Sequence, residues 1–202
     1  MIAFACVLTT ALLTAASDYR ITVDSLGIGN SWRAGDITPL GITVSNTHPD
    51  PVSAWISWEV PDGDGDIVAW GRPITLTPNQ DVSTWLYAPT QPWARGDTAW
   101  TIQLRTLAEG APGEILASFR FSPQSINASP LSKTNGAIAV IGTRRLGLGG
   151  LASTGKTRTV LEPTITIAGL SAEDLPDAWP SLSSIDTLVW ANAPPELSYR
   201  QI

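Results

Sequence analysis

The chain has 202 residues, a net charge of −6, 43% hydrophobic residues and 15% charged residues. This length suffices for one large domain or two small ones. The acidic balance argues against nucleic acid as a partner, because a phosphate backbone demands a basic surface, and against an anionic membrane surface. The 17 Gly and 16 Pro residues favour a turn-rich β architecture over a helical bundle.

The first 17 residues carry no charged side chain, and residues 2–16 form an apolar run. The run has the length of a signal-peptide core, and Ala15 and Ser17 are small residues at the −3 and −1 positions before Asp18. It is short for a membrane span, which needs about 20 apolar residues. We predict a signal peptide over residues 1–17, export to the periplasm or another extracytoplasmic space, and no transmembrane helix in the mature chain. The alternative is a buried N-terminal strand or helix.

The single cysteine, Cys6, lies inside this predicted leader. Cleavage would leave a mature chain without a disulfide, a thiol nucleophile or a cysteine metal site. A lipoprotein would need a lipobox, and Ala3-Phe4-Ala5 is a poor one.

Residues 18–122 alternate between apolar and polar side chains, which is typical of half-buried strands. The clearest stretch is 52–60, where Ala54, Ile56 and Trp58 share one face. Gly, Pro, Asn and Asp punctuate the segments. The predicted strands are 19–23, 40–44, 52–60, 67–76, 81–88, 98–107 and 114–121. Seven short strands in about 100 residues indicate a β-sandwich domain.

This pattern resembles the immunoglobulin-like or fibronectin-like modules of bacterial exported proteins. The cysteine pair of antibody domains is absent, so side-chain packing must hold the two sheets together. Tryptophans, which bury about 150–250 Å² each, are expected to supply much of that packing.

Residues 123–135 are predicted to be a linker, and after it the pattern changes. Continuous apolar runs at 137–141, 165–168 and 188–191 are typical of strands that are buried on both faces. Short helices are expected near 146–152 and 172–182. This β-α-β-α-β order predicts an incomplete α/β (flavodoxin-like) domain over 136–202, with three parallel strands.

The string Leu175-Pro176-Asp177-Ala178-Trp179, followed by Leu182 and by Ile185-Asp186-Thr187-Leu188-Val189-Trp190, resembles a pattern in exported bacterial proteins with a glutamine-amidotransferase-like domain. Pro194-Pro195-Glu196-Leu197-Ser198 resembles the start of that domain's next helix. The resemblance implies a β-sandwich before the α/β domain and, in a full-length form, a membrane anchor.

In true amidotransferases the nucleophilic Cys follows a later strand, and His and Glu come later still. The resemblance therefore assigns no catalytic residue to residues 136–202, and we expect a fragment of a longer protein.

Residues 150–157, Gly-Leu-Ala-Ser-Thr-Gly-Lys-Thr, fit the P-loop string. A working P-loop follows a strand directly and begins a helix whose N-terminus binds phosphate. Here the predicted strand ends near Ile141, and Pro163 and the strand at Ile165 leave no room for that helix. A flexible loop is the preferred interpretation, and no cofactor is expected.

Asp62, Asp64 and Asp66 alternate with glycines and could bind Ca²⁺. A calcium loop of the EF-hand type needs an acid at its twelfth position, which here is Pro73 or Thr75. A solvated hairpin turn is preferred to a metal site.

His48, the only histidine, lies in a turn without the partners that a triad or a zinc site needs, and no serine lies in a nucleophile elbow. Asn127-Ala128-Ser129 is a glycosylation sequon without meaning in a bacterial protein.

Trp55, Trp85 and Trp93 are candidates for a platform that stacks on sugars. Trp55 points away from the Ile56–Trp58 face, and Trp93 lies in a loop. The alternative is that these indoles pack under the linker or against the second domain.

The sequence favours a non-catalytic interaction or scaffolding protein of the cell envelope, with envelope proteins as partners. One alternative is an enzyme whose active site lies beyond Ile202. The other is a carbohydrate-binding module for a polysaccharide, in which Trp55→Ala would abolish binding.

Overall fold

The computed structural model describes residues 18–142 and 164–191 and is mainly β. Two antiparallel sheets contain the seven predicted strands. The strands are β1 (Tyr19–Leu26), β3 (Ile37–Asn46), β4 (Val52–Pro61), β5 (Ile67–Leu76), β6 (Gln80–Pro89), β7 (Trp100–Ala108) and β8 (Ala111–Phe121). Sheet I has the order β1-β3-β6, and sheet II has the order β5-β4-β7-β8. The predicted β-sandwich is confirmed, whereas its immunoglobulin-like or fibronectin-like class stays a prediction.

The sandwich core is built around an edge-to-face cluster of aromatic rings. The Trp58 and Trp100 centroids are 5.2 Å apart at an interplanar angle of 79°, and those of Trp32 and Trp100 are 5.5 Å apart at 78°. Phe121 packs against Trp100 at 5.8 Å. The three indoles are at most 1% exposed. Edge-to-face pairing stabilises such a cluster beyond area burial, by about 0.5–1.5 kcal/mol per pair. The rings of Trp58, Trp100 and Phe121 all belong to sheet II, and aliphatic side chains such as Leu40, Ile42 and Leu86 supply the sheet I side of the same core.

Two short strands tie the sandwich to the chain that follows it. β2 (Ser31–Arg33) pairs in parallel with β9 (Ser129–Leu131). A 3-10 turn at Pro123–Ile126 precedes β9, and Asn127 ends this turn with a left-handed φ of 56°. The segment 123–135, predicted to be a linker, thus carries defined structure.

A second, three-stranded sheet follows, made of β10 (Gly136–Ile141), β11 (Thr164–Leu170) and β12 (Thr187–Trp190). β10 lies in the centre and pairs in parallel with both neighbours. A small apolar cluster joins this sheet to the sandwich, since Ile28 packs with Ala139 and Ile141.

The helix expected over 172–182 is absent there, and two 3-10 turns at Ala172–Asp174 and Trp179–Leu182 take its place. Pro176 and Pro180 lack the N–H that a continuous helical ladder requires. The helix expected at 146–152 lies outside the described residues. The α/β, flavodoxin-like class of this segment and the predicted domain boundaries therefore stay predictions. In the part of the chain that the structure describes, no helix is long and apolar enough to span a membrane.

Trp100→Ala should lower the free energy of unfolding by about 3–5 kcal/mol, because it leaves a cavity between two aromatic neighbours. Urea denaturation followed by circular dichroism measures this change. Trp93→Ala is the matched control, because Trp93 is 61% exposed and its removal should change stability by less than about 0.5 kcal/mol. Equal losses for the two variants would contradict the central position of Trp100.

Candidate functional site

A cleft of 420 Å³ lies where the edge strands of the two sheets meet the segment before β12. β5 contributes one wall, β6 the second, and the region around Asp177 the third. The volume lies in the range of about 300–1,000 Å³ that is usual for small-molecule sites. The residues that line this cleft, named here the Trp70–Trp85 cleft, are Trp70, Gly71, Arg72, Trp85, Leu86, Tyr87, Asp177 and Ala178.

Strand alternation on β5 places Trp70 and Arg72 on the same side. Trp70 is paired with Trp58 and Arg72 with Ile56 across the β4–β5 ladder. Paired residues point to the same face of a sheet, so both side chains project toward the inner side of sheet II at its edge. Trp70 remains 41% exposed there.

Trp85 lies on the outer face of sheet I, where its cross-strand partner is Gly41. A Cβ on Gly41 would lie 3.2 Å from the Trp85 ring, so the indole rests directly on the backbone of β3. The absence of a side chain at Gly41 thus leaves room for the Trp85 ring beside β3.

The Arg72 guanidinium joins the three walls. Its Nη1 donates to the Trp85 carbonyl oxygen at 3.3 Å and to Asp177 Oδ2 at 3.1 Å. The Arg72 side chain is 36% exposed and that of Asp177 is 15% exposed. Nε and Nη2 of Arg72 have no hydrogen-bond partner among residues 18–142 and 164–191, and Arg72 is one of the residues that line the cleft.

Tyr87 donates its hydroxyl to Asp177 Oδ1. Burial, followed by this hydrogen bond and the nearby Asp177 charge, raises the pKa of Tyr87 well above its usual value. The phenol therefore stays protonated and acts as a donor, and it cannot serve as a phenolate base or nucleophile near neutral pH. The described lining contains no Ser, Cys or His, so these residues supply aromatic faces, donors and acceptors for binding.

The structure does not bring the three predicted platform tryptophans together. Trp55 alternates with the buried Ala54 and Ile56 and therefore lies on the outer face of sheet II, whereas Trp85 lies on the outer face of sheet I. Trp93 lies in the loop after β6 and is 61% exposed. Only Trp85 lines the cleft, and its indole neighbour there is Trp70, which the sequence did not single out.

The acidic turn forms the β4–β5 hairpin. Asp62 Oδ1 accepts hydrogen bonds from the backbone N–H groups of Asp64 and Asp66, both at 3.0 Å. The Asp62 carboxylate thus stabilises the turn itself. Within residues 18–142 and 164–191, no group of three or more His, Cys, Asp or Glu side chains is placed to hold a metal ion.

His48 lies in the turn between β3 and β4, where its Nδ1 accepts the Asp50 N–H at 3.1 Å and its ring stacks on Tyr19 at 6.3 Å. The predicted leader with Cys6 and the P-loop string at 150–157 lie outside the described residues.

The sequence did not point to Trp70, Arg72 or Tyr87 as site residues. Asp177 was named only as part of the string that resembles the amidotransferase-like domain. A signal did exist for Arg72. It occupies an inward position of an alternating strand, and a charge on the inner face of an edge strand is unusual unless it is paired.

No protein-family model and no curated protein matches the sequence. Solved structures that match in part include the alkylpurine DNA glycosylase AlkC of Pseudomonas fluorescens, bound to DNA with an abasic site analog. Its TM-score is 0.32 at 14% identity, covering 54% of this chain and 31% of that chain.

A calcium-binding mutant of β-glucuronidase 2 from Bacteroides uniformis matches with a TM-score of 0.34 at 15% identity, over 52% of this chain and 13% of that chain. A β-glucosidase from Listeria innocua matches with a TM-score of 0.31 at 9% identity, over 52% of this chain and 16% of that chain. The matched part is thus less than a third of each of these three proteins. At these scores and identities the likeness assigns no function to this chain.

The raised pKa of Tyr87 predicts a loss of stability in alkaline solution. Above pH 10.0, the ordinary tyrosine value, the unfolded state ionises at this residue while the folded state does not. The stability advantage of the wild type over Tyr87→Phe should therefore be complete below about pH 10 and shrink above it. Urea denaturation at a series of pH values measures the difference.

Asp177→Asn provides the companion variant. Removing the carboxylate charge should bring phenolate formation at Tyr87 to lower pH, as seen in the ultraviolet absorbance of the folded protein. A stability difference between wild type and Tyr87→Phe that stays constant through pH 10 and beyond would contradict the raised pKa of Tyr87.

Proposed function

We propose that the protein is a non-catalytic binding protein of the bacterial cell envelope and that the Trp70–Trp85 cleft is its ligand site. The observation that carries the proposal is the cleft itself. It combines the exposed Trp70 ring with the half-buried Trp85 and with an Arg72–Asp177 pair in which Arg72 keeps unpaired donors. Small-molecule sites are commonly concave, largely apolar and aromatic, with few convergent polar groups.

The polar groups of the cleft support binding over catalysis. Both Asp177 oxygens accept a hydrogen bond, from Arg72 and from Tyr87, and the Tyr87 phenol is held protonated. These groups hold an unreactive ligand better than they transfer a proton.

An extracytoplasmic location is part of the proposal and rests on residues 1–17. Expression of the full chain in a bacterial host should give an exported product whose N-terminal sequence begins at Asp18. Cell fractionation and N-terminal sequencing provide the measurement. Ala15→Arg should block processing, because a large charged residue does not fit the −3 position. A product that keeps Met1 and remains in the cytoplasm would contradict export.

Photo-crosslinking in living cells tests the binding role of the cleft. A photoreactive amino acid in place of Ala178, which lines the cleft, should give defined adducts in the envelope fraction. The same residue in place of Trp93, which is 61% exposed and lies outside the cleft lining, is the matched control and should give none. Adducts of equal yield at both positions, or robust hydrolase or amidotransferase activity of the purified chain, would overturn the proposal.

A second candidate is the first part of an amidotransferase-like enzyme. The strand order β11-β10-β12 supports it, because it equals the order 2-1-3 that begins a flavodoxin-like sheet. In such an enzyme Cys, His and Glu would follow later strands. The genomic frame after codon 202 tests this candidate. A continuing frame that encodes those three residues after further strands supports an enzyme, and a continuing frame without them favours the binding protein.

A further inference from the structure

The Trp70–Trp85 cleft carries a more specific inference about its ligand, which rests on the binding role proposed above. Trp70 and Trp85, from different sheets, both line this cleft, and Trp70 presents 41% of its surface to solvent. The ring of Trp85 is held against Gly41. Flat, fixed aromatic surfaces suit a flat ligand with apolar C–H faces, and they cost little conformational entropy on binding.

The polar groups beside these rings have a particular arrangement. Arg72 offers donors at Nε and Nη2, and Asp177 offers the remaining lone pairs of its carboxylate oxygens. The two groups are 3.1 Å apart, so a donor and an acceptor stand side by side. Two neighbouring hydroxyl groups match this arrangement, since a hydroxyl both donates and accepts.

The charges around the cleft decide between neutral and anionic ligands. The carboxylate of Asp177 offsets the guanidinium charge of Arg72. A second hollow, of 260 Å³, shares Trp85 as a lining residue and is lined in part by Asp24, Glu173 and Asp174. These carboxylates, in a chain with a net charge of −6, repel an anion.

An extended peptide fits this edge less well. β5 lies at the edge of sheet II among the described strands, and strand addition would use its backbone donors. Pro73, in the middle of β5, has no N–H, and a proline in an edge strand blunts such pairing.

We propose that the Trp70–Trp85 cleft binds a neutral saccharide. A pyranose ring lies against the indoles of Trp70 and Trp85, and two adjacent hydroxyls bind Arg72 and Asp177.

Calorimetric titration of the full mature chain tests this assignment. The probes are cello-, xylo-, manno- and chito-oligosaccharides with N-acetylated amines, and oligogalacturonate of equal length as the anionic arm. At least one neutral oligosaccharide should bind with saturation, and oligogalacturonate should bind at least about tenfold more weakly. Binding of oligogalacturonate alone, or of no neutral saccharide, would overturn the proposal.

Variants locate the binding. Trp70→Ala should weaken the affinity by about tenfold or more, as for an aromatic anchor, whereas Trp70→Phe should retain an intermediate affinity. Trp55→Ala, on the outer face of sheet II, is the matched control and should bind like the wild type. Circular dichroism confirms that each variant is folded. A saccharide that binds folded Trp70→Ala as tightly as the wild type would overturn the assignment.

The crosslinking adduct at position 178 separates this inference from the wider proposal. An adduct supports a saccharide when glycosidases reduce its mass and proteases do not remove it from the crosslinked residue. A protein adduct overturns the saccharide and leaves the binding role of the cleft standing. The absence of both saccharide binding and any adduct overturns both.

Discussion

One side chain, Arg72, connects the three parts on which the cleft depends. It belongs to β5 of sheet II and donates to a backbone carbonyl oxygen of β6 in sheet I. It also pairs with Asp177, which lies between β11 and β12. A partly buried ion pair adds little net stability, because desolvation offsets much of the attraction. Its value here is geometric, since one nitrogen, Nη1, bonds both Trp85 and Asp177 and so links elements that no backbone ladder connects.

The sandwich itself could be predicted from the sequence, because the alternation and the turn residues that produce it are local features of the chain. Alternation over 52–60 separates an apolar face from a polar one, and the observed strand β4 buries that face. Punctuation by Gly, Pro, Asn and Asp places the turns, as at Asp62, whose side chain folds back on its own hairpin. The parallel arrangement of β10, β11 and β12 also follows from three continuous apolar runs.

The cleft could not be predicted in the same way, because the residues that line it are far apart in sequence and come together only in the folded chain. Asp177 is 105 residues from Arg72, and nothing in either neighbourhood points to the other. The platform of Trp55, Trp85 and Trp93 was predicted because these side chains were expected to be exposed. Exposure alone does not determine which face of which sheet a residue occupies. Very short strands also show no detectable alternation of apolar and polar residues, and β2 and β9 have only three residues each.

The pairing of those two short strands has a consequence for the order of assembly. β2 lies between the first two long strands of the sandwich, whereas β9 follows its last strand, so Ser31 and Ser129 meet only after the intervening chain has closed. Asp177 lies later still, between β11 and β12, yet it forms the third wall of the cleft. The cleft is therefore complete only when this late segment lies beside β5 and β6, and a chain that stops before residue 177 would keep two of its three walls.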